Sequence, residues 1–384
     1  MPKLHLAIDA NEANVANRVG SNVYAFQIIS QFAKIIEEES DVEVTVLLAH
    51  SPLKDLPTET RSWQYRIIKP QKLWTQLAAP WHLYTHQYDY NVFFTPGHYA
   101  PRYCSVPYVS SVMDLSFLHF PDQFQRNDLL QLSSWTKYSV KNASRVIAIS
   151  NFTKNEVVKQ YNLDPSDIVV AHPSVSLPEY PATKAELIKF LMKLEIRQPY
   201  FLYLGTLQPR KNLISLVKAY ELFCQQQSPK KLEELPQLVI GGKIGWLADP
   251  IIEAIEQSSV KNNIVLTDYI PEKYKPQLYQ AALSTILVGL YEGFGIPPLE
   301  SIHFGVIPIV SNVSSLPEVV GEAGLQVNPH KPEAIADALN QVFSMPSAIR
   351  KSYQDKMQTQ RAKFSWQQSA HTIYQVLLDV AKKQ

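Results

Sequence analysis

The chain has 384 residues, enough for two domains with a core each. Its 36 Lys and Arg against 35 Asp and Glu leave a net charge of +1, which gives no bias towards polyanions and argues against a nucleic-acid partner. No apolar run approaches the ~20 residues of a membrane helix, and the run at the N-terminus is shorter than a signal-peptide core. Cys104 and Cys224 stand far apart without metal-ligand spacing. The expectation is a soluble chain with two reduced thiols, cytoplasmic or peripheral at the inner face of a membrane.

Leu4 to Ile8 is a short apolar run closed by Asp9 and predicts a first buried strand. A polar loop from Asn11 to Asn22 carries one glycine, Gly20. From Ser21 the apolar positions Val23, Phe26, Ile28, Ile29, Phe32, Ile35 and Ile36 recur with helical spacing. Strand, glycine loop and helix is the phosphate-binding arrangement of many nucleotide folds, although one glycine is a thin signal. Strands follow at Val42 to Leu48 and Tyr90 to Phe94. Between them Leu73, Trp74, Leu77, Trp81, Leu83 and Tyr84 predict a core-facing helix. The alternative is an acceptor groove or a lipid-facing edge, because Trp and Tyr suit a boundary with water. Val106 to Val112 is the next strand, with Asp114 just beyond its end, where α/β sheets place ligand contacts. Arg145 to Ser150 is another, and Ser150 opens a capped helix. Ile168 to Ala171 closes the first half, and Pro173, Pro178 and Pro181 mark a linker.

The second half restarts with a helix from about Lys184 to Lys193 and a strand at Tyr200 to Leu204. Gly205-Thr206-Leu207-Gln208-Pro209-Arg210-Lys211-Asn212 follows. Its cations, beside a helix that starts near Asn212, can stabilise an oxygen that gathers negative charge. Standing alone, the same run would be a basic turn before a surface helix. Further strands are expected at Leu238 to Gly242, Ile264 to Ile270 and Thr285 to Val288. Tyr291 to Glu300, read Tyr-Glu-Gly-Phe-Gly-Ile-Pro-Pro-Leu-Glu, comes next. Gly293 and Gly295 let the backbone approach a ligand, Pro297 and Pro298 can sit at a first helical turn, and a helix is expected from about Leu299 through Phe304. The loop N–H groups then face the positive end of a helix dipole. Glu292 and Glu300 flank the loop, and carboxylates suit sugar hydroxyls, which donate to them. Ile307 to Ser311 and Leu325 to Val327 complete this set. Ser311 and Glu318, both beyond a strand, are weaker ligand candidates. The tail from Ser365 to Lys383 is amphipathic through Trp366, Ile373, Val376, Leu377 and Val380.

Glu292 and Glu300, seven residues apart with Gly-Phe-Gly after the first, resemble the E-x7-E motif of the family-4 retaining glycosyltransferases. Ser314-Ser315-Leu316-Pro317-Glu318-Val319 and the Gly205 to Asn212 run are similar to the same family, above all to bacterial mannosyltransferase-like members. The resemblance covers nearly the whole chain. It implies an α/β fold of two Rossmann-like domains facing a cleft, the GT-B architecture. Residues 1–178 would bind the acceptor, with a last helix, 365–384, packing back on them, and residues 184–364 would bind the nucleotide sugar. It implies transfer of a hexose, mannose from GDP-mannose in the first place, with retention and without a metal, to a hydroxyl of a glycan or lipid-linked glycan of a bacterial surface polysaccharide. Catalytic roles fall on Glu292 at the sugar hydroxyls, Arg210 and Lys211 at the leaving phosphate, and Asp114. Donor contacts fall on Gly20, Gly205, Tyr269, Ile270, Gly293, Phe294, Gly295, Ile296, Leu299 and Glu300. Glu300 would hold the ribose, and the N–H groups of Phe294, Gly295 and Ile296 the sugar or its phosphate. No cofactor is implied beyond the donor substrate. Two positions depart from the family. Asn22 and Val23 stand where relatives carry a second glycine and often an Arg. Met113 stands where many carry a histidine close to the transferred sugar, and a thioether cannot move protons. His98, His119 and His172 are the histidines near it in sequence. A nucleotide-sugar binder without transfer and an epimerase on the same fold stay open. A dehydrogenase is disfavoured, because no Gly-x-Gly-x-x-Gly follows the first strand.

Overall fold

The computed structural model describes residues 3–97, 99–176, 182–227 and 231–383. His98, and the Pro178 and Pro181 of the expected linker, lie outside them. The chain divides into two compact units, residues 1–173 with 364–384, and residues 174–363.

The first unit is a seven-stranded parallel sheet. Its strands are β1 (Leu4–Asp9), β2 (Val42–Leu48), β3 (Trp63–Ile67), β4 (Val92–Thr95), β5 (Tyr108–Val112), β6 (Arg145–Ala148) and β7 (Ile168–Val170), in the order β3-β2-β1-β4-β5-β6-β7. Central strands are buried on both faces, as in Val92–Thr95 and Tyr108–Val112, which is why they read as unbroken apolar runs. Register is set by pairs such as Leu6 with Val42's second neighbour Val44, and Leu6 with Val92. β4 begins two residues later than the expected Tyr90. Asn91 stands outside the ladder, where its side chain accepts from the His5 N–H at 2.8 Å. β3 was not expected from the sequence. It lies at the sheet edge with only Trp63 fully buried, so its polar residues hide the pattern.

The helix Ser21–Glu38 packs on this sheet, and the last helix, Trp366–Ala381, packs on it in turn. Tyr24 meets Trp366 edge-on at 5.9 Å between ring centroids, and Phe32 meets Tyr374 at 6.4 Å. The aromatic segment expected to be one core-facing helix is a π-helical turn, Trp74–Ala78, running into the helix Ala79–Thr85. Trp74 and Leu83 are in the core, but Leu73, Leu77, Trp81 and Tyr84 are exposed, which corrects that expectation.

The second unit is a six-stranded parallel sheet of β8 (Tyr200–Leu204), β9 (Gln237–Gly241), β10 (Ile264–Thr267), β11 (Ser284–Leu287), β12 (Pro308–Ser311) and β13 (Leu325–Val327), in the order β10-β9-β8-β11-β12-β13. β10 stops at Thr267, so Tyr269 and Ile270 belong to the loop after it. Its entry helix, Lys184–Lys193, opens on a capping box: Thr183 and Glu186 exchange hydrogen bonds of 3.3 and 2.8 Å. The helix after the glycine loop is Ile296–His303, starting earlier than Leu299. Gly295 is its cap, and Pro297 and Pro298 sit in the first turn, where their missing N–H groups leave no gap.

Candidate functional site

In an open parallel sheet, neighbouring loops diverge where the strand order reverses, and the crevice beyond the strands' carboxyl ends takes ligands. In the second sheet the chain goes outward from β8 to β9 and β10, then returns to lay β11 on the other side of β8. The reversal therefore lies between β8 and β11. The loops at that point are residues 205–212 and 288–295, which hold the basic turn and the glycine stretch singled out above.

The two loops are tied together. Leu290 donates its N–H to the Arg210 carbonyl at 2.8 Å, and Asn212 Nδ2 donates to the carbonyls of Val288 and Pro329 at 3.1 and 2.7 Å. Lys211 Nζ reaches Glu292 Oε1 at 2.6 Å, and Arg210 Nη1 stands 3.7 Å from Glu292 Oε2. Arg210 Nη1 also donates to the Tyr291 carbonyl at 3.3 Å. Glu292 is 7% exposed, so a buried carboxylate and two cations share one small volume. A third loop, after β12, holds the glycine stretch from behind. Glu292 N–H donates to Ser314 Oγ at 3.1 Å, and Ser315 Oγ donates to the carbonyls of Glu292 and Phe294 at 2.8 and 2.5 Å. Ser311 Oγ donates to the Gly289 carbonyl. Gly295 has φ of 116°, and a Cβ there would stand 2.6 Å from Leu316 Cδ2, so both backbone and space demand glycine.

Glu300 lies one turn into the helix and is 6% exposed. Tyr279 donates its hydroxyl to Oε2 at 2.6 Å, and Lys275 Nζ stands 3.4 Å from Oε1. Burial pushes the Glu300 carboxyl above its ordinary value, against the lowering influence of Lys275 and the Tyr279 hydrogen bond. Burial pulls the Lys275 ammonium down, but Glu300 and Glu272 outweigh it and leave it above its usual value. Tyr279 and Lys275 escaped the reading of the sequence. The only signal for them was a carboxylate inside an apolar helix face, which must find a donor in the fold.

The other expected donor contacts divide by burial. Leu299 is 1% exposed and Ile270 is packed against Gly241, so neither offers a side chain to a ligand. Only their main chain is available, and Leu299 N–H is bonded to the Gly295 carbonyl at 3.4 Å. Tyr269 is exposed beyond β10, with Lys243 Nζ 5.5 Å from its ring centroid. Gly205 follows β8 directly, and its N–H donates to the Gly241 carbonyl at 2.9 Å. Glu318 lies in the first turn of the helix Leu316–Val320.

Gly20 and Asp114 belong to the first unit. Its strand order reverses between β1 and β4, and a pocket of 270 Å³ opens there, lined by Asp9, Asn11, Glu12, His50, Trp74 and Thr95 among others. Gly20 caps the helix Ser21–Glu38 with φ of 53° and no side-chain hydrogen bond. The positive end of that helix meets a carboxylate of the protein itself. Glu12 Oε2 accepts from Asn22 Nδ2 at 2.6 Å and from Ser21 Oγ at 3.3 Å. Asp114 Oδ1 accepts from the Ser116 N–H at 3.0 Å and from Ser116 Oγ at 2.8 Å, closing the turn into a short helix. Met113 is buried. Of the described histidines near it in sequence, His119 pairs with Glu156, and His172 packs edge-on against Phe364.

Asp9 accepts from the backbone and side-chain N–H of Asn11 at 3.0 and 2.7 Å. Burial nevertheless lifts its carboxyl to about 6, from the 3.8 of a free aspartate. The folded protein thus keeps this proton while the unfolded chain releases it. Stability is therefore lost as pH climbs from about 4 to about 6, because the carboxylate ionises at a cost in the folded state. Asp9→Asn lacks that cost. Its stability should gain on wild type across this window, by up to about 2 kcal/mol once pocket water is allowed for, and hold level above it. A difference that does not vary with pH, measured by calorimetry, would show that the Asp9 carboxylate is fully hydrated.

A family model described as Glycosyl transferases group 1 matches residues 188–363, and one described as Glycosyltransferase Family 4 matches residues 20–178. An O-antigen chain mannosyltransferase B of Escherichia coli is 30% identical over 304 residues, 79% of this chain and 76% of that protein. An O-antigen chain mannosyltransferase of Salmonella typhimurium, RfbU, is 25% identical over 239 residues, 62% of each protein. Among solved structures, Alr3699/HepE of Anabaena in complex with UDP-glucose matches with a TM-score of 0.70 at 14% identity, over 98% of this chain and 100% of that one. That likeness is one of fold, and the two parallel-sheet α/β units are those of the GT-B architecture.

Proposed function

The chain belongs to the family-4 glycosyltransferases, and from that membership we propose that it moves mannose from GDP-mannose to a hydroxyl of a glycan or lipid-linked glycan. We place the reaction at a membrane face, with retention at the anomeric carbon and without a metal ion. The observation that carries the proposal is the Arg210, Lys211 and Glu292 cluster at the strand-order reversal of the second sheet. The mannosyl donor and the polysaccharide acceptor are suggested by the relatives' names.

In this mechanism the bond from the sugar's anomeric carbon to the diphosphate breaks, and its electron pair stays on the phosphate oxygen. Arg210 and Lys211 stabilise the charge that gathers there. The acceptor oxygen bonds to the anomeric carbon on the same face, and its proton passes to the departing phosphate. Glu292 accepts from sugar hydroxyls with lone pairs that Lys211 leaves open, and Glu300 accepts from the ribose in the same way. The N–H groups of Phe294, Gly295 and Ile296, at a helix N-terminus, meet the sugar or its phosphate. No step asks for a strong base, so a buried Met113 is compatible with turnover. The acceptor's hydroxyl-rich end enters the pocket at Asp9 and Glu12, whose carboxylates take hydrogen bonds from it.

Thermal shift with GDP-mannose, GDP, UDP-glucose and UDP, followed by transfer assays, tests this. GDP and GDP-mannose should raise the melting temperature by the equivalent of about 2.7 kcal/mol at a hundredfold excess over Kd, and Arg210→Ala and Glu300→Ala should abolish the shift. Transfer should survive EDTA and give an axial anomeric linkage by NMR. Stabilisation by donor with neither transfer nor hydrolysis would make the protein a binder instead. Silence from every nucleotide would remove the foundation of the proposal.

A further inference from the structure

The segment before β4 is apolar on two sides. Trp74, Ala78, Ala79 and Leu83 turn into the core of the first unit with Phe93 and Tyr108. On the opposite side Leu77, Trp81 and Tyr84 fall at i, i+4 and i+7, one face of the helical run, with Leu73 at its start and Tyr88 just past its end. Their exposures are 53, 69, 59, 58 and 95% in that order. A helix that meets water on its outer side carries polar residues there, and this one carries two leucines and three aromatics. The rings of Trp81 and Tyr84 lie side by side, 6.3 Å between centroids. Both are amphipathic rings that settle at the boundary between hydrocarbon and water.

Charge gives the occupant. From Glu59 to Asp89 the chain has four cations, Arg61, Arg66, Lys69 and Lys72, against the two acids at its ends, although the whole chain is almost balanced. All four cations are exposed. Ile67, on the edge strand β3, is a further exposed apolar residue among them in the sequence. An apolar aromatic stripe bordered by an excess of cations matches the headgroup region of a bilayer that carries anionic lipid. Among the described residues no helix is long and apolar enough to cross a membrane, so attachment of this kind would be to the surface.

We propose that the stripe from Leu73 to Tyr88 is a docking surface for an anionic bilayer, with Leu77, Trp81 and Tyr84 inserted at the headgroup boundary and Lys69 and Lys72 paired with lipid phosphates. The proposal goes beyond the transferase reading and stands without it, because its readout is binding to lipid.

The test is co-sedimentation of the full chain with vesicles of phosphatidylcholine alone and with 30 mol% phosphatidylglycerol. Wild type should bind the anionic vesicles at least ~10-fold more tightly than the neutral ones, and less tightly as salt screens the cations. Leu77→Ser with Trp81→Ser and Tyr84→Ser should lower binding to the anionic vesicles ~10-fold or more without changing the circular dichroism, since these side chains are outside the core. Lys69→Gln with Lys72→Gln should weaken anionic binding and leave neutral binding alone. Wild type that stays in the supernatant with both vesicles, or a triple variant that binds like wild type, overturns the assignment. So does a dimer, seen by light scattering, that only the triple variant loses, because the stripe would then belong to a second copy of the chain.

Discussion

Gly242→Ala is expected to cost the second unit about 4 kcal/mol, a large share of the stability of any domain. Gly205 and Gly242 follow β8 and β9, and their backbones run side by side at the sheet's carboxyl edge. Gly205 N–H donates to the Gly241 carbonyl at 2.9 Å, and Leu207 N–H to the Lys243 carbonyl at 2.9 Å. A Cβ on residue 242 would stand 1.9 Å from the Gly205 carbonyl oxygen and 2.6 Å from its carbon. These are backbone atoms of a hydrogen-bonded strand end, so they cannot swing aside as a side chain would. The φ of 152° adds strain for any residue with a Cβ. Gly20→Ala is the control. Its φ of 53° with ψ of −115° is also unwelcome to alanine, but nothing lies within 4 Å of its Cβ, so the cost is strain alone, about 1 to 3 kcal/mol. Hydrogen exchange reads both: Gly242→Ala should strip protection from β8 and β9 while β1 and β2 keep theirs. A melting temperature within two degrees of wild type, roughly the shift of a half-kilocalorie change, would mean that the Gly205 peptide can rotate away.

The second large effect belongs to Lys211→Met. Glu292 would keep its burial and lose its 2.6 Å partner, with Arg210 still 3.7 Å off. Removing the nearer of two cations leaves the buried carboxylate held by Arg210 alone, worth about 2 kcal/mol. Under the proposed mechanism the same substitution also removes a cation from the leaving phosphate, about 10²- to 10³-fold in kcat. Adding Glu292→Gln separates the two. The double variant has no under-compensated carboxylate, so its stability should return towards wild type, while its turnover stays low because both side chains that meet the donor are changed. If turnover recovers along with stability, the pair is a strut of the loop and Lys211 has no part in the chemistry. If neither recovers, the neutral amide has failed to fit the site that Ser314 and Ser315 build around residue 292.

What the sequence disclosed follows from how each element is buried. Tyr200–Leu204 and Val42–Leu48 sit in parallel sheets covered on both faces, so they are apolar almost throughout and were legible at once. Trp63–Ile67 has one covered end and polar residues beyond it, and no periodicity marks it. The run from Trp74 to Thr85 is apolar on both sides, so helical spacing revealed the helix and could not say which side met the core. The glycine stretch and the Arg-Lys-Asn turn were legible as motifs. That they adjoin depends on β11 being laid beside β8, a matter of strand order that local pattern does not encode. The partners of Glu300 come from Tyr279 and Lys275, on a different helix, and nothing near Glu300 in the sequence points to them. The clash that makes Gly242 indispensable is likewise with a residue across a strand pair, visible only once the register is known.

The last helix, Trp366–Ala381, is grouped with the first unit although the whole of the second unit lies between them in the chain. On a ribosome, which delivers residues in order, the second unit emerges as one uninterrupted segment and has everything it needs before synthesis reaches Trp366. The first unit has its seven strands early but waits for that helix to cover Tyr24 and Phe32. During that interval it presents an open apolar face to chaperones and to other nascent chains, so the half made first is the half finished last.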